Sequence, residues 1–254
     1  MLLTILLATL IVSLISFIGV VFFFKKTERG EFWLKNLISL AAGTLLATAF
    51  FHLLPEAIEE SKFSSKTLLS IVLLSILFFF IIEKYLHWHH CRCEENESTN
   101  KKTYKYFVYT NLLGDAIHNF IDGAAIAASF LINPLTGFVT TLTIILHEIP
   151  QEISDFGILL YGGLERKKAL AFNFLTALTA VLGALIFYYF GRDFSHITPL
   201  MIAFAAGNFI YLATADLIPE IHHEKDRGRI LSNTLWLIFG VVMIVSLIIF
   251  LPHI

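Results

Sequence analysis

Apolar residues along this chain gather into long blocks separated by short polar stretches, with little of the alternation expected of amphipathic helices or half-buried strands. Eight blocks can be drawn, at about residues 2–24, 33–57, 66–88, 104–130, 135–161, 168–190, 197–221 and 230–251. Apolar runs of about 18 residues or more are long enough to cross the hydrocarbon layer as helices. The pattern therefore predicts an all-α, polytopic membrane protein with eight transmembrane helices. The longest polar stretch, about 89–103, joins the third and fourth blocks. Connections this short leave no room for a soluble domain, so 1–254 reads as a single transmembrane domain. The first block lacks a positive leading region, is too long for a signal peptide and runs into Lys25 and Lys26, so it reads as a retained span.

Composition agrees with this and charge adds an orientation. The chain is 57% hydrophobic and 15% charged, against about 25% charged in soluble domains. Its formal net charge of -2 offers no basic surface for nucleic acid. Lys25, Lys26, Arg29 and Lys35 lie between spans 1 and 2; Lys84, Arg92, Lys101, Lys102 and Lys105 flank the 3–4 loop. Arg166, Lys167 and Lys168 lie between spans 5 and 6, and Lys225, Arg227 and Arg229 between spans 7 and 8. Those are 15 of the 18 basic residues; Lys62, Lys66 and Arg192 fall on the other side. The positive-inside rule then places both termini outside.

A repeat follows. Ala41-Ala42-Gly43 leads to His52, Pro55 and Glu56, and at an offset of 164 residues Ala205-Ala206-Gly207 leads to Asp216, Pro219 and Glu220. The alternation of spans makes these copies inverted. Spans 1–3 and 6–8 then form inverted repeats around a central span 4/5 hairpin, an architecture common in alternating-access transporters. It puts His52 and Glu56 near the outer mouth, with Asp216 and Glu220 near the inner one.

The hairpin carries the chemistry. Span 4 contains Asp115, His118, Asn119 and Asp122; span 5 contains His147, Glu148, Pro150, Gln151, Glu152, Ser154 and Asp155. A charge at mid-membrane costs about 2.5–3.5 kcal/mol even on the lenient insertion scale, and no Lys or Arg lies between Tyr106 and Glu165 to offset these acids. A bound cation offsets them. His118 with Asp122, and His147 with Gln151, stand four residues apart and share helix faces. Imidazoles, carboxylates and amides converging at one depth suit Zn²⁺, with Fe²⁺, Mn²⁺ and Cd²⁺ as other fits.

The two segments resemble signatures of the ZIP metal transporters. His118-Asn119-Phe120-Ile121-Asp122-Gly123 is similar to their span 4 motif, and His147-Glu148-Ile149-Pro150-Gln151-Glu152 to the span 5 motif of the LIV-1-like branch. The resemblance implies a binuclear-type site, with His118, Asp122, His147 and Gln151 in the primary position and Asn119 and Glu148 adjoining. It also implies a further ligand at Asn173 in span 6, uptake of Zn²⁺ or related ions into the cytoplasm, a cell (inner or plasma) membrane location and a homodimer. Gln151 departs from the His common at that position in animal members, which leaves metal preference open.

An intramembrane zinc-dependent hydrolase is the alternative, since His147-Glu148 begins like a His-Glu-x-x-His motif. Gln151 breaks that motif, and no catalytic cofactor is implied. A cation-diffusion exporter would need six spans and a soluble domain. Two weaker features remain: His87, His89, His90, Cys91 and Cys93 in the 3–4 loop could receive metal or anchor span 3, and His222 and His223 continue from Glu220. Glu83 is expected to reach the inner interface.

Overall fold

The structure, a computed structural model, describes residues 1–18, 28–91, 100–161, 163–193 and 197–250. All of its described regular elements are helical, and they group into eight rods. Rod 1 is Leu2–Leu14, continued by a 3₁₀ turn Ile15–Phe17. Rod 2 runs from Glu28–Thr48 through a π-helical turn, Ala49–Leu53, to Leu54–Glu59. Rod 3 is Ser65–Cys91, rod 4 Asn100–Ile132 and rod 5 Pro134–Tyr161. Rod 6 joins Arg166–Ala177 to Thr179–Asp193. Rod 7 runs from Thr198–Tyr211 through a second π-helical turn, Leu212–Leu217, to Ile218–His222, and rod 8 is Arg227–Phe250.

Five of these are long and apolar enough to cross a membrane: Phe32–Glu59, Ser65–Tyr85, Arg166–Phe190, Thr198–His222 and Arg227–Phe250. Leu2–Phe17 is apolar but shorter. Rods 4 and 5, at 33 and 28 residues, have ample length, but they carry the acids of the hairpin. Rods 3 and 8 turn large apolar side chains outward, among them Leu73, Leu77, Ile81, Leu235, Phe239 and Val242. A water-soluble protein would bury such faces; lipid rewards their exposure. Rods 4 and 5 form the centre, and every residue from Ile121 to Phe130 is buried.

The contacts fix the relative direction of the rods. Rods 2 and 8 run parallel: Trp33 meets Trp236, Ser232 donates to Asn36 Oδ1 at 2.9 Å, and Gly43 and Gly240 abut the partner backbone at Leu237 and Leu40. Rods 3 and 7 are also parallel, from Ser75 donating to the Phe204 carbonyl at 2.6 Å to Tyr211 donating to Glu83. Rods 4 and 5 are antiparallel, with Ser129 bonded to Thr140 and Asn111 to Asp155. Rods 1 and 6 are antiparallel as well, through Ser13 with Ala177 and Phe17 with Phe174. Every one of these directions is the one that strict up-and-down alternation of eight rods requires.

The two π-helical turns stand at equivalent places in the sequence repeat. Each is followed by a proline, Pro55 or Pro219, in the first turn of the next piece. Proline lacks an N–H and its ring crowds the carbonyl four residues back. Widening the turn relieves that crowding without breaking the rod, and such π bulges concentrate at functional sites.

Candidate metal centre

Rods 4 and 5 hold four buried donors at their middles. His118 and Asp122 lie one turn apart on rod 4, and His147 and Glu148 on rod 5 face them. One ligand atom from each of the four lies within 4.8 Å of the others, the one such grouping of three or more His, Cys, Asp or Glu among the described residues. His147 Nε2 is 3.0 Å from Asp122 Oδ2 and 3.3 Å from His118 Nε2. His118 Nε2 is 3.5 Å from Asp122 Oδ2, and both imidazoles are 3.7 Å from Glu148 Oε1. A tetrahedral ion about 2.0–2.1 Å from each donor sets them about 3.3–3.4 Å apart. The five edges that involve an imidazole, 3.0–3.7 Å, bracket that value, and the remaining one, between the two carboxylates, is within 4.8 Å.

The donors are also prepared for an ion. His147 Nδ1 lies 3.1 Å from the Thr143 carbonyl; an N–H there donates to it and leaves the Nε2 lone pair toward the centre. Thr143 is itself tied to rod 2, its hydroxyl 2.6 Å from that of Thr48. Phe209 of rod 7 packs edge-on against the His147 ring, centroids 5.7 Å apart. Asp122 Oδ1 and both Glu148 oxygens are buried without hydrogen-bond partners. Buried ionised oxygens without protein partners are costly, and a divalent cation is the partner that this donor set fits.

The other residues singled out in the sequence fall around this centre. Asn119 is buried and donates through Nδ2 to Asp115 Oδ1 at 2.7 Å. Gln151, one turn beyond His147 on rod 5, has its Oε1 buried and unpartnered. Glu152 is buried and accepts from Asn173 of rod 6. His52 is buried on the π-helical turn of rod 2, its Nε2 without a partner. Glu56 accepts from Asn133 Nδ2, at the turn between rods 4 and 5. Asp216 and Glu220 are exposed along rod 7. The side chains of His87, His89, His90, Cys91 and Ser154, and all of Cys93, His196 and His253, lie outside the described residues. Glu83 accepts the Tyr211 hydroxyl. The orienting Thr143 carbonyl and the Asn111 and Asn133 amides carry no motif of their own, and sequence reading passes over them.

A helical membrane protein with two imidazoles and two carboxylates gathered inside its central hairpin is built as a divalent-cation protein. The family model described as "ZIP Zinc transporter" matches residues 1–103 and 87–248. The chain belongs to the ZIP zinc transporter family, and its relatives are LIV-1 members. It is 35% identical over 233 residues to zinc transporter ZIP13 of Pongo abelii, covering 87% of this chain and 68% of that protein. It is 32% identical over 262 residues to zinc transporter ZIP13 of Mus musculus, covering 89% and 73%. The zinc transporter foi of Drosophila melanogaster is 40% identical over 131 residues, 51% of this chain and 18% of that protein. Members of the family are transporters rather than enzymes.

Proposed function

We propose that this protein carries Zn²⁺ into the cytoplasm through the centre formed by His118, Asp122, His147 and Glu148. The observation that carries the reading is the convergence of four buried donors, two imidazoles and two carboxylates, at the middle of the hairpin. The whole chain acts as one eight-span domain of the cell (inner or plasma) membrane, with both termini outside. Asn119, Gln151, Glu152 and Asn173 attend the ion beside the four, and Fe²⁺, Mn²⁺ and Cd²⁺ fit the same donors.

The ion approaches past His52 and Glu56, beside the 4–5 turn, and leaves toward Asp216, Glu220 and the 3–4 loop. Rods 2 with 8 and 3 with 7 pair across the repeat, while rods 1 and 6 pack on the hairpin. Rocking of the paired rods against the hairpin gives alternating access, and the Thr48–Thr143 and Phe209–His147 contacts lie at the boundary that such motion breaks. A divalent ion moving inward gains about 4.6 kcal/mol at 100 mV, from about 2.3 per charge, so the potential alone drives uptake. The protein works as a homodimer in the bilayer.

Zinc uptake into proteoliposomes, read by a lumenal zinc-sensitive dye, tests the reading. Wild type takes up zinc, whereas His118→Ala and Asp122→Ala, incorporated equally, do not. Metal bound at these residues with no uptake of zinc, iron, manganese or cadmium would overturn transport and favour the hydrolase.

A further inference from the structure

Rod 2 meets the central hairpin on both sides of its π-helical turn. Before the turn, the Thr48 hydroxyl lies 2.6 Å from that of Thr143. Beyond Ala49–Leu53, Glu56 accepts from Asn133 Nδ2, at the join of rods 4 and 5. His52 lies between these contacts, beside Thr136, which also adjoins Glu56. The contacts share one register: as rod 2 runs from 48 to 56, the hairpin is met from 143 back to 133, so rods 2 and 5 are antiparallel here. On rod 5, Thr136, Thr140, Thr143 and His147 are spaced by four, three and four residues, which puts them on one helix face. All four are buried. This polar stripe runs about 16 Å, at about 1.5 Å per residue, and ends on a metal ligand.

Asn133 is held in two directions. Its Oδ1 accepts the Thr136 N–H at 2.8 Å and caps rod 5, while its Nδ2 donates to Glu56. Glu56 is only half-buried, and Glu59 and Glu60 beside it are exposed, so this carboxylate is within reach of water. One turn further along the rod, His52 Nε2 is buried without a partner. An amide attracts a carboxylate through a dipole, whereas a divalent cation attracts it with full charge. The piece of rod 2 that bears Glu56, Leu54–Glu59, is joined to the rest by the π-helical turn. The surplus residue of such a turn leaves that piece room to rotate without breaking the rod.

We infer that the Glu56–Asn133 contact is a latch across the outer end of the buried stripe, opened when a divalent cation displaces the Asn133 amide from the Glu56 carboxylate. The freed carboxylate and the His52 imidazole then receive the ion, and release of the 4–5 turn from rod 2 exposes Thr136, Thr140 and Thr143 to its water shell. The Thr48–Thr143 contact is the second closure on the same stripe. Which end is outer, and the sense of travel, rest on the transport reading above.

Two substitutions separate the latch from a purely structural tie. Glu56→Gln keeps an oxygen for the Asn133 amide and removes the charge that a cation needs. Asn133→Ser keeps a side chain that caps rod 5 and removes the amide. In proteoliposomes, Glu56→Gln should raise the half-saturating zinc concentration several-fold with an unchanged melting temperature, and Asn133→Ser should lower it several-fold. Hydrogen–deuterium exchange of the purified full chain gives a readout that needs no transport. Zinc should speed exchange in the first turns of rod 5 in wild type and in His118→Ala, whose metal centre is disabled, but not in Glu56→Gln. In Asn133→Ser exchange there should be fast without zinc. Wild-type half-saturation in Glu56→Gln, or in Asn133→Ser, overturns the latch. So does the absence of any zinc effect on exchange in wild type, while uptake abolished by His118→Ala leaves the transport reading standing. Zinc-dependent exchange that requires Glu56, in a wild type that takes up no metal, instead keeps the latch and refutes the transport reading.

Discussion

His147 and Asp122 stand 3.0 Å apart, Nε2 to Oδ2, at the middle of the central hairpin. They come from rods 5 and 4, and the Thr143 carbonyl behind His147 sets the face that the imidazole shows to the carboxylate. Both side chains are fully buried, so the pair has no water to fall back on when one partner is removed. His147→Ala and Asp122→Asn should each lower zinc uptake by well over tenfold at equal incorporation. Thr143 contributes through its backbone, so Thr143→Ala should spare that orientation while losing the Thr48 hydroxyl contact. Uptake by Thr143→Ala within a few-fold of wild type, beside near-complete loss in His147→Ala, is the expected result of the flux assay. Loss of a second-layer partner of a ligand usually costs about 10–100-fold in affinity; a Thr143→Ala effect that large would mean that the hydroxyl, not the carbonyl, holds the ring.

Gln151 and Glu148 both stand on rod 5 beside His147. Glu148 brings a carboxylate oxygen to 3.7 Å from both imidazoles, whereas Gln151 offers a neutral amide, a weaker donor. Gln151→Ala should therefore reduce zinc affinity much less than Glu148→Ala does, and equilibrium binding of zinc to the purified variants measures the difference. Equal losses would place Gln151 among the direct ligands.

Much of this architecture is legible in the sequence, and the reasons differ by feature. The helical rods follow from apolar blocks, because lipid leaves the backbone no partner but itself. The buried cluster follows from acids without bases: Asp122 and Glu148 lie in apolar segments with no Lys or Arg between Tyr106 and Glu165, and the proposed cation is what would offset them. The repeat around Pro55 and Pro219 is visible as residues, but its π-helical turns are not, since hydrogen-bond register has no residue signature. Sequence also names Asp115, Asn119 and Asp155 but passes over Asn111, the amide partner of Asp155. Asn111 lies 44 positions from Asp155, and antiparallel register alone brings them together.

Lys35 of rod 2 donates to Glu224 Oε2 at 3.1 Å, while Glu224 Oε1 accepts the backbone N–H groups of Lys225 and Asp226 ahead of rod 8. The Asp226 N–H first, and the Lys35 ammonium next, hold the Glu224 carboxyl down at about 2 from its ordinary 4.5. A carboxyl whose folded value is depressed stabilises the fold fully above its unfolded value and loses that contribution as pH falls toward the folded one. Glu224→Gln should thus lower the melting temperature in detergent by a constant amount from pH 8 to about pH 5. The gap to wild type should close progressively below about 4.5. A gap that instead widens in acid would show that the tie is not made by the carboxylate.

Gly123 and Gly183 seat rods 4 and 6 against one another next to the metal ligands. A Cβ on Gly123 would run into the Ala180 carbonyl, and one on Gly183 into the Phe120 carbonyl. Both obstacles are backbone, which cannot rotate aside, so the rods would have to separate. Close helix contacts of this kind supply the packing that holds membrane helices together. Overpacking typically costs about 1–3 kcal/mol, and the displaced rod carries Asp122 on the residue before Gly123. Gly123→Ala should therefore lower thermal stability in detergent and weaken zinc binding together. Gly183→Ala should destabilise to a similar degree with a smaller effect on zinc, because its own rod bears no member of the four. Gly163 provides the contrast: it has φ 86 and nothing within 4 Å of an added Cβ, so Gly163→Asn should lower stability through backbone strain alone, less than another side chain would, and leave zinc binding unchanged. If Gly123→Ala melts like wild type and binds zinc unchanged, rods 4 and 6 do not meet through these glycines.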